Sequence, residues 1–338
     1  VHRLGFDASW EPSLFGGLRD AADGAEADVA ASAATLESTK VSQAAQVAME
    51  YLTLRTYQQR LAIARDNVAS QAETLQLTEW REQAGLTTRL DVDQATTSLE
   101  QSRATIPTLE LGRAEAEHRL AVLTGQTPGA LRERLQETRP LPRVPDEIAV
   151  AIPAETLRQR PDLRAAELTL LAETSRRTER KADLYPTLSL SGSLGWQAFS
   201  ASGLGSSGSL ARSLAASLAA NLFDGGRLRA QLAAQEAVQE QALVAYENTL
   251  LTALEDVENA LAAYASGRER VASQRRAAEA ARSAAQLARS LYEVGAEDFQ
   301  KVLETDRTRL STEDNLASAE GDLLAAVVKL YKAMGGGW

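Results

Sequence analysis

Thr187-Leu188-Ser189-Leu190-Ser191-Gly192-Ser193-Leu194-Gly195-Trp196-Gln197-Ala198 alternates apolar and small polar residues. A period of two places Leu188, Leu190, Leu194, Trp196 and Ala198 on one face of a strand and Thr187, Ser189, Ser191, Ser193 and Gln197 on the other. Residues 210–222 repeat the pattern, with Leu210, Leu214, Ala216, Leu218 and Leu222 against Ser213, Ser217 and Asn221. The first residues do so again, with Leu4, Phe6, Ala8 and Trp10 against Arg3, Asp7 and Ser9. Alternation over about ten residues, apolar on one face and small polar on the other, is the pattern of a transmembrane β-barrel strand. A soluble sheet gives no reason for Trp10, Trp196 and Phe199 to cluster at strand ends, where a membrane interface does. The predicted lipid-facing set is Leu4, Phe6, Trp10, Leu188, Leu190, Leu194, Trp196, Leu214 and Leu218.

The strands flank two long stretches with almost no Gly or Pro. Val47, Leu54, Leu61, Val68 and Leu75 recur every seven residues in the first; Leu250, Val257, Tyr264, Val271, Ala278, Ala285 and Tyr292 do so in the second. A period of seven means slightly underwound helices packed side by side. The helices are expected from about Ala21 to Ala84 and from about Gly226 to Val294, each roughly 100 Å long at 1.5 Å per residue. Each stops at a glycine, in Gln83-Ala84-Gly85-Leu86 and in Glu293-Val294-Gly295-Ala296, and a second apolar-patterned helix comes next. One of these carries Val92, Leu99 and Ile106, with Pro107 expected to kink it; the other carries Leu303, Leu310, Ala317, Leu324 and Tyr331. Phe15 and Phe223, which open the two units, lie 208 residues apart, and Gly85 and Gly295 lie 210 apart. The chain is an internal duplication of one antiparallel helical hairpin.

Between the repeats, residues 126–160 hold Pro128, Pro140, Pro142, Pro145 and Pro153, a Pro-rich connection. Arg160-Pro161-Asp162 then starts a helix, with Pro in the first turn and a carboxylate at the positive end of the dipole. The expected order is a strand over 1–14, a helical hairpin over 15–125, the Pro-rich segment 126–160, a helix over 161–185, a β-hairpin over 186–222 and a second helical hairpin over 223–338.

Composition removes whole classes of chemistry. There is no Cys, so disulfides, thiolate metal sites and a thiol nucleophile are excluded. His2 and His118 are the two histidines, too few for a multi-histidine metal centre. A net charge of −10 argues against nucleic acid. Alanine fills 62 positions and aromatics 5%, which suits close helix contact rather than a thick core. No apolar run reaches the ~18 to 20 residues of a membrane-spanning helix. No catalytic constellation, cofactor site or metal site is expected.

Three motifs invite a sharper reading. Gly203-Leu204-Gly205-Ser206-Ser207-Gly208 matches a dinucleotide fingerprint, but the downstream chain enters a long helix with no parallel partner strand, so the motif reads as a hairpin loop at the outer mouth of the barrel. Arg268, Arg275, Arg282 and Arg289 form a stripe at heptad spacing, either a salt-bridged coiled-coil face or a surface that touches a partner or lines a tunnel. His118 lies in a polar helical stretch, at the surface or between helices.

Four segments together resemble a known family. They are Ala8-Ser9-Trp10-Glu11-Pro12-Ser13-Leu14-Phe15-Gly16, Arg160-Pro161-Asp162-Leu163-Arg164-Ala165-Ala166-Glu167, Tyr185-Pro186-Thr187-Leu188-Ser189-Leu190 and the terminal Tyr331-Lys332-Ala333-Met334-Gly335-Gly336-Gly337-Trp338. In order and spacing they resemble the outer membrane factors of tripartite efflux pumps, the TolC-like channels, and within them the NodT-type lipoproteins. The resemblance implies a mainly α fold with transmembrane β. Long antiparallel coiled-coil hairpins would form an α-barrel joined to the strands of a trimeric outer-membrane β-barrel, with the Pro-rich segment as a belt.

The resemblance further implies a homotrimer in outer-membrane lipid that extends into the periplasm. It would be a passive exit duct, with a periplasmic adaptor (membrane fusion) protein and an inner-membrane pump of the resistance-nodulation-division type as partners. Gly85, Leu86 and Thr87, with Gly295, Ala296 and Glu297, would be the docking tips for the adaptor. Ala296, Gln300 and Glu304, spaced four apart, would fall where the family narrows its periplasmic aperture. The family expects four strands, so a first strand, an export signal and a lipidated Cys are expected upstream of Val1, and the chain as it stands is not expected to form a pore. The rival reading is a structural coiled-coil scaffold with a small soluble β-hairpin domain. Trimers extracted only by detergent favour the duct, and a detergent-free soluble oligomer the scaffold.

Overall fold

A computed structural model describes residues 1–144, 159–200, 202 and 204–336. Pro145, Pro153, Gly203, Gly337 and Trp338, on which part of the sequence reading rests, lie outside the described residues. The elements are β1 (His2–Trp10), α1 (Gly17–Gln83), α2 (Arg89–Leu123), α3 (Arg132–Leu135), α4 (Pro161–Ala182), β2 (Thr187–Ala198), β3 (Leu210–Ala219), α5 (Arg227–Glu293) and α6 (Phe299–Ala333). β3 ends at Ala219, so Asn221 and Leu222 fall outside the strand pattern expected to reach 222. Helix α2 runs unbroken through Pro107.

The chain forms two compact units, Val1–Glu37 with Pro161–Thr252, and Ser38–Arg160 with Ala253–Trp338. In the first, β1, β2 and β3 make one antiparallel sheet in sequence order. Helix α4 is tied to the start of α1 by an Arg176–Asp28 ion pair and to the start of α5 by Arg177–Glu236 at 3.1 Å. Gln235 Nε2 donates to Glu173 at 2.6 Å on the same side. Phe15 stacks on Tyr185 with ring centroids 4.8 Å apart. Its repeat counterpart Phe223 is exposed, so the duplicated openings are not equivalent in packing. Asp224 instead caps α5, accepting from the backbone N–H of Gly226 and Leu228 at 2.9 Å each. These bonds hold its carboxyl below the usual range.

In the second unit the heptads of α5 pack as expected: Val257, Tyr264, Val271, Ala278, Ala285 and Tyr292 are all buried. The first repeat departs from its pattern. Leu54 and Leu61 are buried, but Val47, Val68 and Leu75 are only half-buried. The fully buried positions of α1 beyond Ala64 are polar: Asn67, Gln71, Thr74 and Thr78. Asn67 Nδ2 donates to Ser102 Oγ of α2 at 3.2 Å, and Arg309 Nη2 of α6 donates to Asn67 Oδ1 at 3.2 Å. One amide therefore links three helices, and the apolar heptad reading could not see it because its residues are not apolar.

Two buried arginines fasten the connecting segments. Arg55 Nη1 donates to the carbonyl of Glu137 at 2.6 Å, while Gln58 Nε2 reaches the Leu135 carbonyl at 2.7 Å. Leu131 packs beside them with Leu54, Ala116, Leu120 and Ala121. Arg160 Nη1 reaches the carbonyls of Ala253 in α5 and Ala333 at the end of α6, and its Nη2 pairs with Asp256 at 3.2 Å. A guanidinium at the carbonyl end of α6 satisfies a helix terminus that has no intrahelical partner.

Candidate functional site

The strand register decides which side chains share a face, because residues directly opposite in an antiparallel pair project to the same side. Leu4 lies opposite Trp196, Phe6 opposite Leu194 and Trp10 opposite Leu190. Leu188 lies opposite Leu218, and Gly192 opposite Leu214. All nine residues expected to face lipid thus lie on one face of the sheet. Ser189, Ser191 and Ser193 lie on the other, where Ser193 and Ser213 share a hydrogen bond at 2.8 Å and Arg3 donates to Gln197 at 3.1 Å. The apolar face is bare: Phe6 is 87% exposed, Leu214 86% and Leu218 70%. Contiguous apolar surface of this kind marks an interface with a membrane or a partner.

Besides His2 at the start of β1, opposite Ala198, a charged residue breaks that face. Arg212 lies opposite Leu194, between Leu210 and Leu214, and so stands on the apolar side two residues from the start of β3. The strand parity carries this placement, and the sequence reading passed over it. The antiparallel pairing of β2 with β3 also disposes of the dinucleotide fingerprint, which needs a parallel β-α-β unit.

The two hairpin tips are built alike. Gly85 and Gly295 hold φ of 72° and 78°, the left-handed region in which a side chain is costly. Leu86 N–H donates back to the Arg81 carbonyl at 2.8 Å, and Ala296 N–H to the Leu291 carbonyl at 2.8 Å, the closing bond of a glycine helix cap in both. The next helix starts at once. Thr88 and Asp91 form a reciprocal capping box at the head of α2, and the Asp298 carboxylate accepts from Lys301 N–H at 3.0 Å at the head of α6. Thr87, Thr88 N–H and Thr88 Oγ1 all donate to Asp91, which keeps its carboxyl below the ordinary range. Thr-x-x-Asp is legible as a capping signature; its part in ordering the tip was missed in the sequence.

The aperture residues separate. Gln300 and Glu304 lie one turn apart on α6, but Ala296 lies in the turn before the Asp298 cap, so the three do not share one helix face. Glu304 is exposed and paired with Lys301 Nζ at 3.1 Å. Both line a cleft of about 580 Å³ with Asp298, Leu303 and Thr308. The arginine stripe is salt-bridged within the chain: Arg275 to Glu320 at 2.9 Å, Arg282 to Glu313 at 2.7 Å and Arg289 to Glu73 at 2.8 Å, with Arg268 over the Tyr264 ring. Hydrogen bonding to Glu73 raises the Arg289 pKa further. His118 is half-buried in α2. No group of three or more His, Cys, Asp or Glu side chains is placed to hold a metal ion among the described residues. Nor is any helix among them long and apolar enough to cross a membrane.

Sequence comparison matches residues 2–126 and 152–336 to the outer membrane efflux protein family. The chain belongs to that family. Nodulation protein T of Rhizobium leguminosarum bv. viciae is 32% identical over 255 residues, which are 75% of this chain and 53% of that protein. The toluene efflux pump outer membrane protein TtgF of Pseudomonas putida is 29% identical over 334 residues, 98% of this chain and 68% of that protein. Among solved structures, the outer-membrane channel OprN superposes with a TM-score of 0.95 at 40% identity, over 99% of this chain and 75% of that one. The chain spans about half the length of the first of these relatives. In this outer membrane efflux protein, then, the fold is the one anticipated: long helical hairpins with an antiparallel three-stranded sheet, as in OprN.

Proposed function

We propose that the chain forms part of an outer-membrane exit duct that passively conducts small molecules delivered by a pump in another membrane. The observation that carries this reading is the sheet face on which Leu4, Phe6, Trp10, Leu188, Leu190, Leu194, Trp196, Leu214 and Leu218 stand together against a serine-rich opposite face. Apolar-out and polar-in is the arrangement of a barrel wall around a wet lumen. The toluene efflux relative and the channel relative support the same direction. In this reading the protein works as a homotrimer in the outer membrane and reaches into the periplasm. It transports and does not catalyse; an adaptor protein and a resistance-nodulation-division pump supply the drive.

The tips Gly85, Leu86, Thr87, Gly295, Ala296 and Glu297 take the adaptor's hairpins, because their exposed turns end both helical hairpins. Glu304, with Gln300 one turn before it and Ala296 in the preceding turn, narrows the aperture. Three-fold symmetry turns Glu304 into a ring of three carboxylates, which concentrates cations. Lys301 at 3.1 Å offsets part of that field. Fractionation of the full-length protein on a sucrose gradient tests the reading: trimers in the outer-membrane fraction, released only by detergent, support it, and a soluble elongated oligomer overturns it.

A further inference from the structure

The second unit carries a cleft of about 690 Å³ lined by α1, α2 and α6, away from the tips. Its size falls within the ~300 to 1,000 Å³ of small-molecule sites. Two of its polar groups bear on what it could bind. Gln71 is 6% exposed, lines the cleft, and has an Oε1 that is buried without a hydrogen-bond partner. A buried acceptor left without a donor forfeits its hydration and gains nothing in return. Arg307 lines the same cleft and has no ion pair or hydrogen bond among the described residues. The other charged lining residues, Arg60 and Asp314, satisfy each other through two bonds of 2.6 and 3.0 Å. Arg307 is exposed and also borders the cleft that Glu304 lines, and it is the one charged lining residue without an ion pair among the described residues. Ala64, Ala104, Leu109 and Leu310 supply apolar wall between these groups.

We propose that this cleft binds a small amphipathic organic anion carrying an N–H or O–H donor. Its acid group pairs with Arg307, its donor satisfies Gln71 Oε1, and its apolar body lies on the alanine and leucine wall. Because α2 belongs to the first hairpin and α6 to the second, a bound molecule bridges the two repeats. Such binding needs only the helices of this unit and is independent of conduction through a membrane.

Indole-3-acetate carries all three features, and 1-benzothiophene-3-acetate keeps the ring and acid but replaces the N–H by sulfur. Titration calorimetry of the full chain in detergent micelles compares them. The expected result is saturable binding of one indole-3-acetate per chain, with the sulfur analogue about fivefold weaker, the scale of one net hydrogen bond. Arg307→Gln weakens both probes about fivefold or more, since a charge-assisted contact is lost. Gln71→Leu makes the two probes equal. If Gln71→Leu does not fold, the two probes on the unaltered protein still decide. No saturable binding, equal affinity of the two probes for the unaltered protein, or an Arg307→Gln protein that binds as before overturns the proposal.

Discussion

Arg81, in the last turn of α1, donates from Nη1 to the main-chain carbonyl of Tyr292 at 2.7 Å and lies with its guanidinium 4.5 Å from the centre of the Tyr292 ring. The same carbonyl accepts the Gly295 N–H at 3.0 Å, so a helix-end carbonyl that α5 leaves open is used by both its own cap and the other repeat. Tyr292 is buried against Phe299 of α6, ring centroids 5.9 Å apart, and its hydroxyl meets Thr78 Oγ1 at 3.4 Å. One arginine thus holds the two tips in register.

Arg81→Met removes a charge-assisted bond and a cation–π contact while keeping the apolar stem. The expected loss is about 2 kcal/mol of local stability. Hydrogen exchange of the Leu86 and Ala296 amides reads it; unchanged protection in both contradicts the coupling.

Gly85→Val and Gly295→Val each put a β-branched side chain at positive φ, at a cost of about 1–2 kcal/mol or more. Export is expected to fail while trimer level and membrane insertion stay normal. Assaying dye efflux beside trimer abundance separates docking from folding, and efflux that survives both changes removes the tips from the adaptor contact.

Leu190→Arg places a charge on the apolar face at the Trp10 and Ala216 row, whereas Ser191→Arg places it on the polar one. The first is expected to lower trimer yield, at less than the ~2–4 kcal/mol of a mid-membrane charge because Leu190 shares its row with Trp10 at a strand end, and the second to be tolerated. Equal yields count against a barrel wall. Arg212 fits the same frame because a long stem lets the guanidinium reach the interface from a strand end.

These residues also show what sequence could convey. Strand parity alone placed the nine side chains together on the apolar face, since a period of two leaves no freedom. Gly85 and Gly295 marked the helix ends because only glycine sits easily at positive φ. The polar seam of Asn67, Gln71, Thr74 and Thr78 was not legible: a heptad scan weighs apolar residues, whereas Asn67 is held by partners on two other helices and Thr74 and Thr78 bond to carbonyls of their own helix. Ala296 was placed on a helix by spacing, while the Asp298 cap starts that helix two residues later. The Arg81–Tyr292 contact joins residues 211 apart and has no local signature.

Asp306 faces Arg309 on its own helix, and Arg289 of α5 also acts on it, with Glu73 of α1 paired to that arginine. Burial outweighs the two arginines and raises its pKa. A raised carboxyl binds its proton more tightly in the folded state, so stability falls as pH climbs from the ordinary carboxylate value through the raised one. Asp306→Asn is expected to flatten that slope. Urea midpoints from about pH 4 to about pH 7 measure it, and an unaltered slope assigns the pH dependence elsewhere.

The central claim is that the protein conducts through a membrane, and planar-bilayer recording of the full-length trimer tests it most directly. Stable, uniform conductance steps are expected, with a preference for cations that weakens in Glu304→Gln. Trimers that insert and pass no current, or protein that stays in solution without detergent and never inserts, would contradict it.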